Sequence, residues 1–228
     1  MSALDQVEKC KSNEHLLLME LTHRMNNEFT SAIAILALAA AYSAHDEVKG
    51  ALAEVENRLR NYVEVNRLLE KPSHETSIDA SEQLRKLCES ISQSRLDCKG
   101  IELFLVDCPL RMSSDRCWRL NMIVFELITN SVRHAFGDVG GRIRVELMRF
   151  GSFVRCRVED NGMAPGELRR GLGSAIIEAL TSTLDGTVKQ YFGPTGAVSE
   201  LIFLASAAQG VVSHPNLIDD GEDPRGNR

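Results

Sequence analysis

The stretch FELITNSVRHAF at residues 125–136 combines an apolar stripe with a polar row on one predicted helix, which we place at residues 115–136. The stripe consists of residues that fall on one face at helical spacing: Leu120, Ile123, Val124, Leu127 and Ser131. Glu126, Asn130 and His134 are spaced by four residues and border this stripe. A polar row at the edge of a core can face either solvent or a ligand, so the pattern alone leaves both interpretations open.

The ligand interpretation gives each polar residue of this helix a chemical role. The amide oxygen of Asn130 is a hard ligand, suited to a magnesium ion that takes its other ligands from phosphates and water. Glu126 could orient a water molecule or a neighbouring side chain, and Arg133 and His134 could meet phosphate charge. These four residues are therefore candidates for one nucleotide and metal site.

A second motif, VEDNG at residues 158–162, follows a predicted strand. Asn-Gly often forms a hairpin turn, but the residues that follow, MAPGELRRGLG, lack the alternation of a returning strand. In the functional interpretation, the Asp160 carboxylate accepts a hydrogen bond from an exocyclic amine such as that of adenine. Gly162 would then let the base lie close to the backbone.

A third motif, GLG at residues 171–173, opens a predicted helix that extends to Thr183 and follows Arg169 and Arg170. Exposed amides at a helix start, together with two guanidinium groups, can bind phosphate. The GxxxxGKS and GxxxxGKT patterns are absent from the sequence, which excludes a P-loop protein.

The order of these motifs follows an alternation of predicted helices and strands. Helical periodicity covers residues 81–93, 115–136 and 171–183, and strands are predicted at residues 101–106, 143–147, 154–159, 187–192 and 198–204. In this order the sequence resembles the Bergerat-type ATP-binding fold shared by histidine kinases and gyrase. FELITNSVRHAF resembles its asparagine box, VEDNG its adenine-binding aspartate box and GLGSAI the glycine box at the end of its lid.

The resemblance implies a role for each of the matching residues. Asn130 would hold magnesium, Asp160 would recognise adenine, and Gly171 and Gly173 would close over the phosphates of ATP.

The first part of the chain is predicted to be a helical hairpin. Its first helix, at about residues 15–42, has apolar residues near helical spacing: Leu17, Leu18, Leu21, Met25, Ile33, Leu36 and Leu38. The second helix, at about residues 47–69, has the stripe Leu52, Val55, Leu59, Val63 and Val65 or Asn66. Residues 32–41 are apolar all round, so we expect two chains to pair into a four-helix bundle, with burial against the second domain as the alternative.

The first helix also carries the polar stretch LTHRMNNEF at residues 21–29. Glu20, His23 and Asn27 share one helix face, and a neutral imidazole is a competent nucleophile near neutral pH. With the later EVENRLRNYVEVNRLLE, the stretch closely resembles the phosphoacceptor hairpin of histidine kinases that carry HRxxN, including the HWE-like group. The resemblance implies that His23 is phosphorylated and that Arg24 and Asn27 complete the motif.

Composition and charge restrict the cellular compartment of the protein and the partners it can bind. The 228 residues have a net charge of -6 and a pI near 5.6, which argues against nucleic-acid and anionic-membrane binding. Six scattered cysteines without a CxxC pair, and no secretion signal, predict free thiols in a reducing cytoplasm. The uncharged run from Phe29 to His45 is too short and too rich in alanine for a membrane span.

We therefore expect an α+β protein in three parts. These are a dimerisation and phosphoacceptor hairpin at residues 1–74, an α/β sandwich of the histidine kinase ATPase type at residues 75–205, and a flexible tail at residues 206–228. The resemblance implies a cytoplasmic histidine kinase that uses ATP and magnesium to phosphorylate His23. It would pass the phosphoryl group to an aspartate of a response regulator receiver domain, and its signal would come from a separate sensor protein or through the hairpin.

Two other functions stay open at this point. Ala164 stands where the family commonly has a second glycine, and the loop at residues 163–170 is short for an ATP lid. Both features would suit a histidine phosphotransfer protein with a degenerate nucleotide site. An anti-sigma-type serine kinase has the same ATP fold but does not need the HRxxN hairpin. The general base is also open among Glu20, Glu28 and Glu126.

Overall fold

The N-terminal part is a hairpin of two long helices, α1 (Ala3–Tyr42) and α2 (Asp46–Leu68). The computed structural model describes residues 3–137, 139–163 and 172–205; it describes the side chain of Glu20 and, except for Leu172, those from Arg24 onwards in these ranges. Asp46 lies in the first turn of α2, where a negative charge stabilises the helix dipole. The predicted hairpin is confirmed, and α1 begins earlier than the sequence pattern indicated.

The second part is a mixed sheet with helices packed on one face. Its elements in chain order are β1 (Ser77–Asp79), α3 (Ala80–Ile91), a π-helical turn (Ser92–Leu96), a 3-10 turn (Asp97–Lys99), β2 (Ile101–Asp107), β3 (Arg111–Ser113), α4 (Ser114–His134), β4 (Gly141–Phe150), β5 (Phe153–Asp160), α5 (Leu172–Thr183), β6 (Gly186–Gly193) and β7 (Gly196–Leu204). β1 and β3 pair only with each other. The other five strands form one sheet in the order β2-β4-β5-β7-β6, in which β2 and β4 are parallel and the remaining neighbours antiparallel.

The core lies between this sheet and helices α3, α4 and α5. Alternate residues of β4 and β5 point into it and are buried: Ile143, Val145, Leu147, Val154, Cys156 and Val158. The predicted stripe of α4 supplies the facing layer, with Leu120, Ile123, Val124 and Leu127 buried. The predicted α+β class, with a helical hairpin followed by an α/β sandwich, is confirmed.

The turn after β5 does not form a hairpin. This agrees with the sequence after it, which lacks the alternation of a returning strand. β5 pairs with β4 and β7, and the next strand in the chain, β6, follows only after α5. Asp160 at the end of β5 therefore lies against α4 and the start of β7.

The end of the hairpin is built into the core of the second part. Val65 of α2 is fully buried in the same cluster as the residues of α4 and the sheet. Trp118 of α4 donates a hydrogen bond from Nε1 to the Leu69 carbonyl at 2.8 Å. The division at residues 74 and 75 stays a prediction, and packing crosses it.

The apolar stripe predicted for α1 is only partly buried in the single chain. Ile33 is buried as expected, but Met25 is 52% and Leu38 is 58% exposed. The helices of one hairpin cover only one side of α1, so apolar residues elsewhere on its surface stay open. In the described parts of the chain, no helix is long and apolar enough to cross a membrane. The predicted tail at residues 206–228 lies outside the described residues.

Candidate functional site

Asp160 is the most enclosed polar group of the candidate site, with 5% of its surface exposed. Its Oδ2 accepts a hydrogen bond from Ser131 Oγ at 2.7 Å. Its Oδ1 accepts from the backbone amides of Gly162 at 3.2 Å and Ala197 at 3.1 Å. A carboxylate offers roughly four acceptor positions, so these three bonds fix its orientation and leave one position on Oδ2.

The polar row of α4 meets the start of α5. A Cβ added to Gly173 would lie 2.8 Å from Glu126 Oε2 and 3.7 Å from Asn130 Oδ1. Glu126 and Asn130 are half-buried, one turn apart on α4. Two oxygen groups and the first turn of a helix therefore converge, and only glycine leaves the carboxylate its present place.

This convergence also tests whether a magnesium ion fits. In the described ranges there is no group of three or more histidine, cysteine, aspartate or glutamate residues that could hold a metal by itself. One amide oxygen from Asn130 and the nearby Glu126 carboxylate are the donor types that suit a magnesium ion shared with phosphates and water. The residues present thus fit a metal that arrives with a nucleotide.

The structure gives a reason for glycine at position 162 that the sequence did not reveal. A Cβ at this position would overlap the Ala135 carbonyl and side chain at the end of α4. Met163 donates from its amide to the same carbonyl at 2.9 Å. The close approach that requires glycine in this structure is to α4, so contact with a base stays a prediction.

A cavity of about 580 Å³ lies beyond the end of α4. His134 and Gly162 line it, together with residues of the β4 approach and the β6–β7 turn. Asn130 and Asp160 are not among its lining residues, and Arg133 is exposed outside it. His134 thus lines this cavity, whereas Glu126 and Asn130 meet the start of α5.

Asn161 holds the turn after β5 against the sheet. Its Oδ1 accepts a hydrogen bond from the Arg142 amide at 2.7 Å, and its own amide donates to the Arg142 carbonyl at 3.1 Å. Because both bonds anchor the turn to β4, Asp160 is held from both sides of β5.

On α1, the predicted phosphoacceptor motif is partly described. The backbone of His23 lies within α1, but its side chain is outside the described part. Arg24 donates from Nε to Glu20 Oε1 at 2.7 Å, and both side chains are largely exposed. Asn27 is exposed. The Arg24 guanidinium therefore pairs with a carboxylate of its own helix.

Some predicted site residues lie outside the described residues. These are Gly171, the two arginines before it and most of the predicted lid loop. Their roles stay predictions.

Sequence reasoning missed two contributors to the site. Ser131 was taken as the last residue of the apolar stripe, yet its hydroxyl binds Asp160. A hydroxyl at the end of an apolar stripe was the signal that could have identified it. The amide of Ala197 also binds Asp160, and it belongs to the start of β7, which has no sequence signature for this contact.

Comparisons with known proteins show which families and folds the chain resembles. Residues 20–95 match the HisKA_2 family, described as histidine kinase. The chain is 25% identical over 202 residues to the sensor histidine kinase PdtaS of Mycolicibacterium smegmatis, an alignment that covers 81% of this chain and 38% of that protein. The chain therefore spans well under half the length of this relative.

Solved structures share the fold. The histidine kinase domain of the Erythrobacter litoralis EL346 blue-light activated histidine kinase superposes with a TM-score of 0.55 at 19% identity, covering 76% of this chain and 95% of that one. A bacterial phosphotransferase superposes with a TM-score of 0.57 at 15% identity, covering 88% and 97%. The family match in the hairpin and the shared fold of the second part make this chain similar to histidine kinase cores with an ATPase-type domain.

Proposed function

We propose that this chain binds ATP with magnesium, phosphorylates itself at His23 and passes the phosphoryl group to an aspartate of a response regulator receiver domain. The observation that carries the proposal is the convergence of Gly173, Glu126 and Asn130 close to an oriented, nearly buried Asp160. A carboxylate with one unused acceptor position suits an exocyclic amine, and oxygen groups beside a helix start suit a metal–phosphate pair.

Each residue of the nucleotide site has a distinct part in this proposal. Asp160 Oδ2 would accept from the adenine amine, while Ser131 and two backbone amides hold the carboxylate still. Asn130 would hold magnesium, which when bound offsets negative charge on the phosphates. The amides at the start of α5, near Gly173, would meet the phosphates.

In the transfer step, a ring nitrogen of His23 attacks the γ-phosphorus of ATP. A nitrogen–phosphorus bond forms, the bond to the oxygen that bridges the β- and γ-phosphates breaks, and ADP leaves with that electron pair. The imidazole proton must pass to a base. We assign this role to Glu126, because it lies beside Asn130 and Gly173, whereas Glu20 is paired with Arg24.

Contacts between the hairpin and the second part support the meeting of His23 with a nucleotide. Asn26 on α1 donates from Nδ2 to Glu70 Oε1 at 2.9 Å, just after the end of α2. The neighbouring Leu69 carbonyl accepts from Trp118 of α4. His23 lies three residues before Asn26, less than one helical turn, so its end of the hairpin is the end joined to the second part.

The proposal includes dimerisation through the hairpin. Large apolar side chains are exposed on both helices, toward the turn that connects them: Ile35, Leu38, Tyr42, Val48 and Val55. A second copy of the hairpin would cover them in a four-helix bundle. Sedimentation of the intact chain measures this directly, and a monomer at all concentrations would contradict it.

A cytoplasmic setting is also part of the proposal. The five cysteines with described positions are all free, which suits a reducing compartment.

One labelling experiment tests the function. The purified chain is incubated with magnesium and ATP labelled on its γ-phosphate, and we expect an acid-labile label that is lost in His23→Gln. His45→Gln is the matched control, because His45 is an exposed histidine at the start of α2. Acid-stable label would instead indicate a serine kinase. Absence of label, with His23-dependent receipt of phosphate from a phosphorylated receiver domain, would indicate a phosphotransfer protein.

A further inference from the structure

Arg95 lies between two aromatic rings that belong to different parts of the chain. Its Cζ is 5.2 Å from the ring centre of Tyr62 on α2 and 5.2 Å from that of Phe125 on α4. Arg95 itself belongs to the π-helical turn that follows α3. One guanidinium therefore joins the hairpin to the helix that carries the candidate nucleotide site.

The environment of Arg95 shows that this is a packed contact. Its Nε is buried and has no hydrogen-bond partner among the described residues. A guanidinium nitrogen without such a partner normally costs free energy, and the two ring faces are what offset that cost here. Lysine could not replace it fully, because its ammonium lacks a plane that can stack on both rings.

The stacked side chains of Tyr62, Arg95 and Phe125, called the sandwich below, lie next to the residues of the proposed phosphoryl transfer. Phe125 directly precedes Glu126, so the contact lies beside the start of the polar row on α4. On the hairpin side, Tyr62 lies one turn before Val65, which is fully buried in the shared core. A second contact, from Trp118 to Leu69, holds the same two helices.

We infer that Arg95 is a positioning residue, which docks the ATP-binding part on the His23 end of the hairpin and so sets the rate of phosphoryl transfer without contributing to nucleotide affinity. This inference rests on the proposed function, because the rate concerned is that of His23 phosphorylation. Docking raises the fraction of time in which a bound nucleotide can reach His23, because it replaces a freely moving pair of units by a fixed one. Nucleotide affinity depends on Asp160 and Asn130, which the sandwich does not contain.

The test compares variants on both sides of the sandwich. Arg95→Met removes the guanidinium and keeps an unbranched side chain, and Tyr62→Leu removes the ring on the hairpin, outside the ATP-binding part. We expect each to slow His23 labelling by about tenfold, with the dissociation constant for ADP, measured by calorimetry, changed less than about twofold. Arg95→Lys and Tyr62→Phe should recover part or most of the rate.

Trp118 supplies a readout that does not depend on activity. It is the single tryptophan of the chain and it contacts Leu69 at the same junction. Loosened docking should increase quenching of its fluorescence by acrylamide in Arg95→Met and Tyr62→Leu. Arg60→Met is the matched control, since Arg60 is an exposed arginine on α2 that pairs with Glu56 four residues earlier.

The outcomes separate this inference from the proposed function. An unchanged labelling rate, a loss of ADP affinity as large as the loss of rate, or unchanged Trp118 quenching would each overturn the docking role. A wild-type chain that never labels at His23 overturns the proposed function, and the fluorescence comparison then decides by itself whether Arg95 docks the two parts.

Discussion

Ser131 donates a hydrogen bond to Asp160 across 2.7 Å, and this bond joins α4 to the end of β5. The residue before Ser131 is Asn130, whose amide oxygen lies close to the first turn of α5. Adjacent residues of one helix thus serve the proposed adenine end and the proposed phosphate end of the site. Substitutions at the two ends should consequently have different effects.

Asp160→Asn should weaken adenine nucleotide binding while the fold is kept. The amide oxygen of asparagine can still accept from Gly162 and Ala197, and the Ser131 hydroxyl can rotate to accept from the new NH2 group. That NH2 group would then face the adenine amine, donor against donor. Loss of a hydrogen bond to a charged acceptor costs roughly 1.5–3 kcal/mol, so we expect about a ten- to hundredfold rise in the dissociation constant for ADP.

Calorimetric titration with ADP measures this change, and thermal unfolding checks the fold. Asp185→Asn is the control, because Asp185 is exposed and has a positive φ of 54°, a conformation that asparagine tolerates. Equal ADP affinity in wild type and Asp160→Asn would remove Asp160 from the nucleotide site.

Gly173→Ala should impair labelling of His23 through Glu126. The new Cβ would lie 2.8 Å from Glu126 Oε2, so the carboxylate must rotate away from its place. Because that side chain is flexible and alanine favours a helix, we expect the protein to stay folded while the labelling rate falls by about tenfold. Gly50→Ala on α2 is the matched control, since nothing lies within 4 Å of its added Cβ. Normal labelling by Gly173→Ala would argue against any catalytic role for the position of Glu126.

Asp79 should contribute pH-dependent stability at the start of α3. Its Oδ1 accepts from Ser81 Oγ at 2.6 Å and from the Glu82 amide at 3.1 Å. These bonds, the Ser81 hydroxyl first and then the Glu82 amide, hold the pKa of Asp79 below its ordinary 3.8. A lowered pKa means that the stabilisation is present above about pH 3.8 and is lost as the pH falls through the folded-state value.

Asp79→Ala should therefore lower the free energy of unfolding by about 1 kcal/mol at neutral pH, the usual effect of losing a helix cap. The difference from wild type should shrink in acid. Urea unfolding at neutral pH and near pH 3 measures both values, with Glu75→Ala as the control, because Glu75 is an exposed carboxylate before β1. A difference that grows in acid would contradict the assigned sign.

Local patterns in the sequence were enough for most of the fold but not for the contacts that build the site. The stripe of α4 predicted its buried face because helical period and burial are directly linked. β1 and β3 were missed, since three residues each are too few for an alternating pattern. The π-helical turn was missed as well. It extends a helix by a local change of hydrogen bonding that leaves the apolar period almost unaltered.

At the site itself, contacts between residues far apart in the sequence limited what could be predicted. Asn130 and Asp160 could be proposed from their motifs, because each residue type carries its chemistry with it. The place of Gly173 against Glu126 depends on how α5 packs on α4, which no local pattern encodes. The same holds for Gly162, whose need for glycine comes from Ala135. For these positions the sequence indicates a special backbone and the fold supplies its reason.

The buried cysteines provide the last prediction, which concerns the core and not the site. Burial raises the pKa of Cys117 and of Cys156 from 9.0 to about 12, and that of Cys88 is raised as well, again chiefly by burial. Alkylation requires the thiolate, so these three thiols should stay unmodified by iodoacetamide near pH 8 while the chain is folded. Among the five cysteines whose side chains the structure describes, Cys98 is exposed and should react first, and the half-buried Cys108 more slowly.

Peptide mapping by mass spectrometry gives the order of modification. Urea-unfolded protein, in which all cysteines should react, is the control.

The raised pKa values of these buried thiols also affect stability. A thiol whose pKa is raised in the folded state stabilises the fold below pH 9.0, and this contribution is lost as the pH rises toward about 12, because the unfolded chain ionises first. Melting temperatures should therefore fall above pH 9, and Cys156→Ala should reduce that fall. Rapid alkylation of Cys156 in the folded chain would mean that the sheet opens on the time scale of the reaction, which its full burial between β4 and β7 argues against.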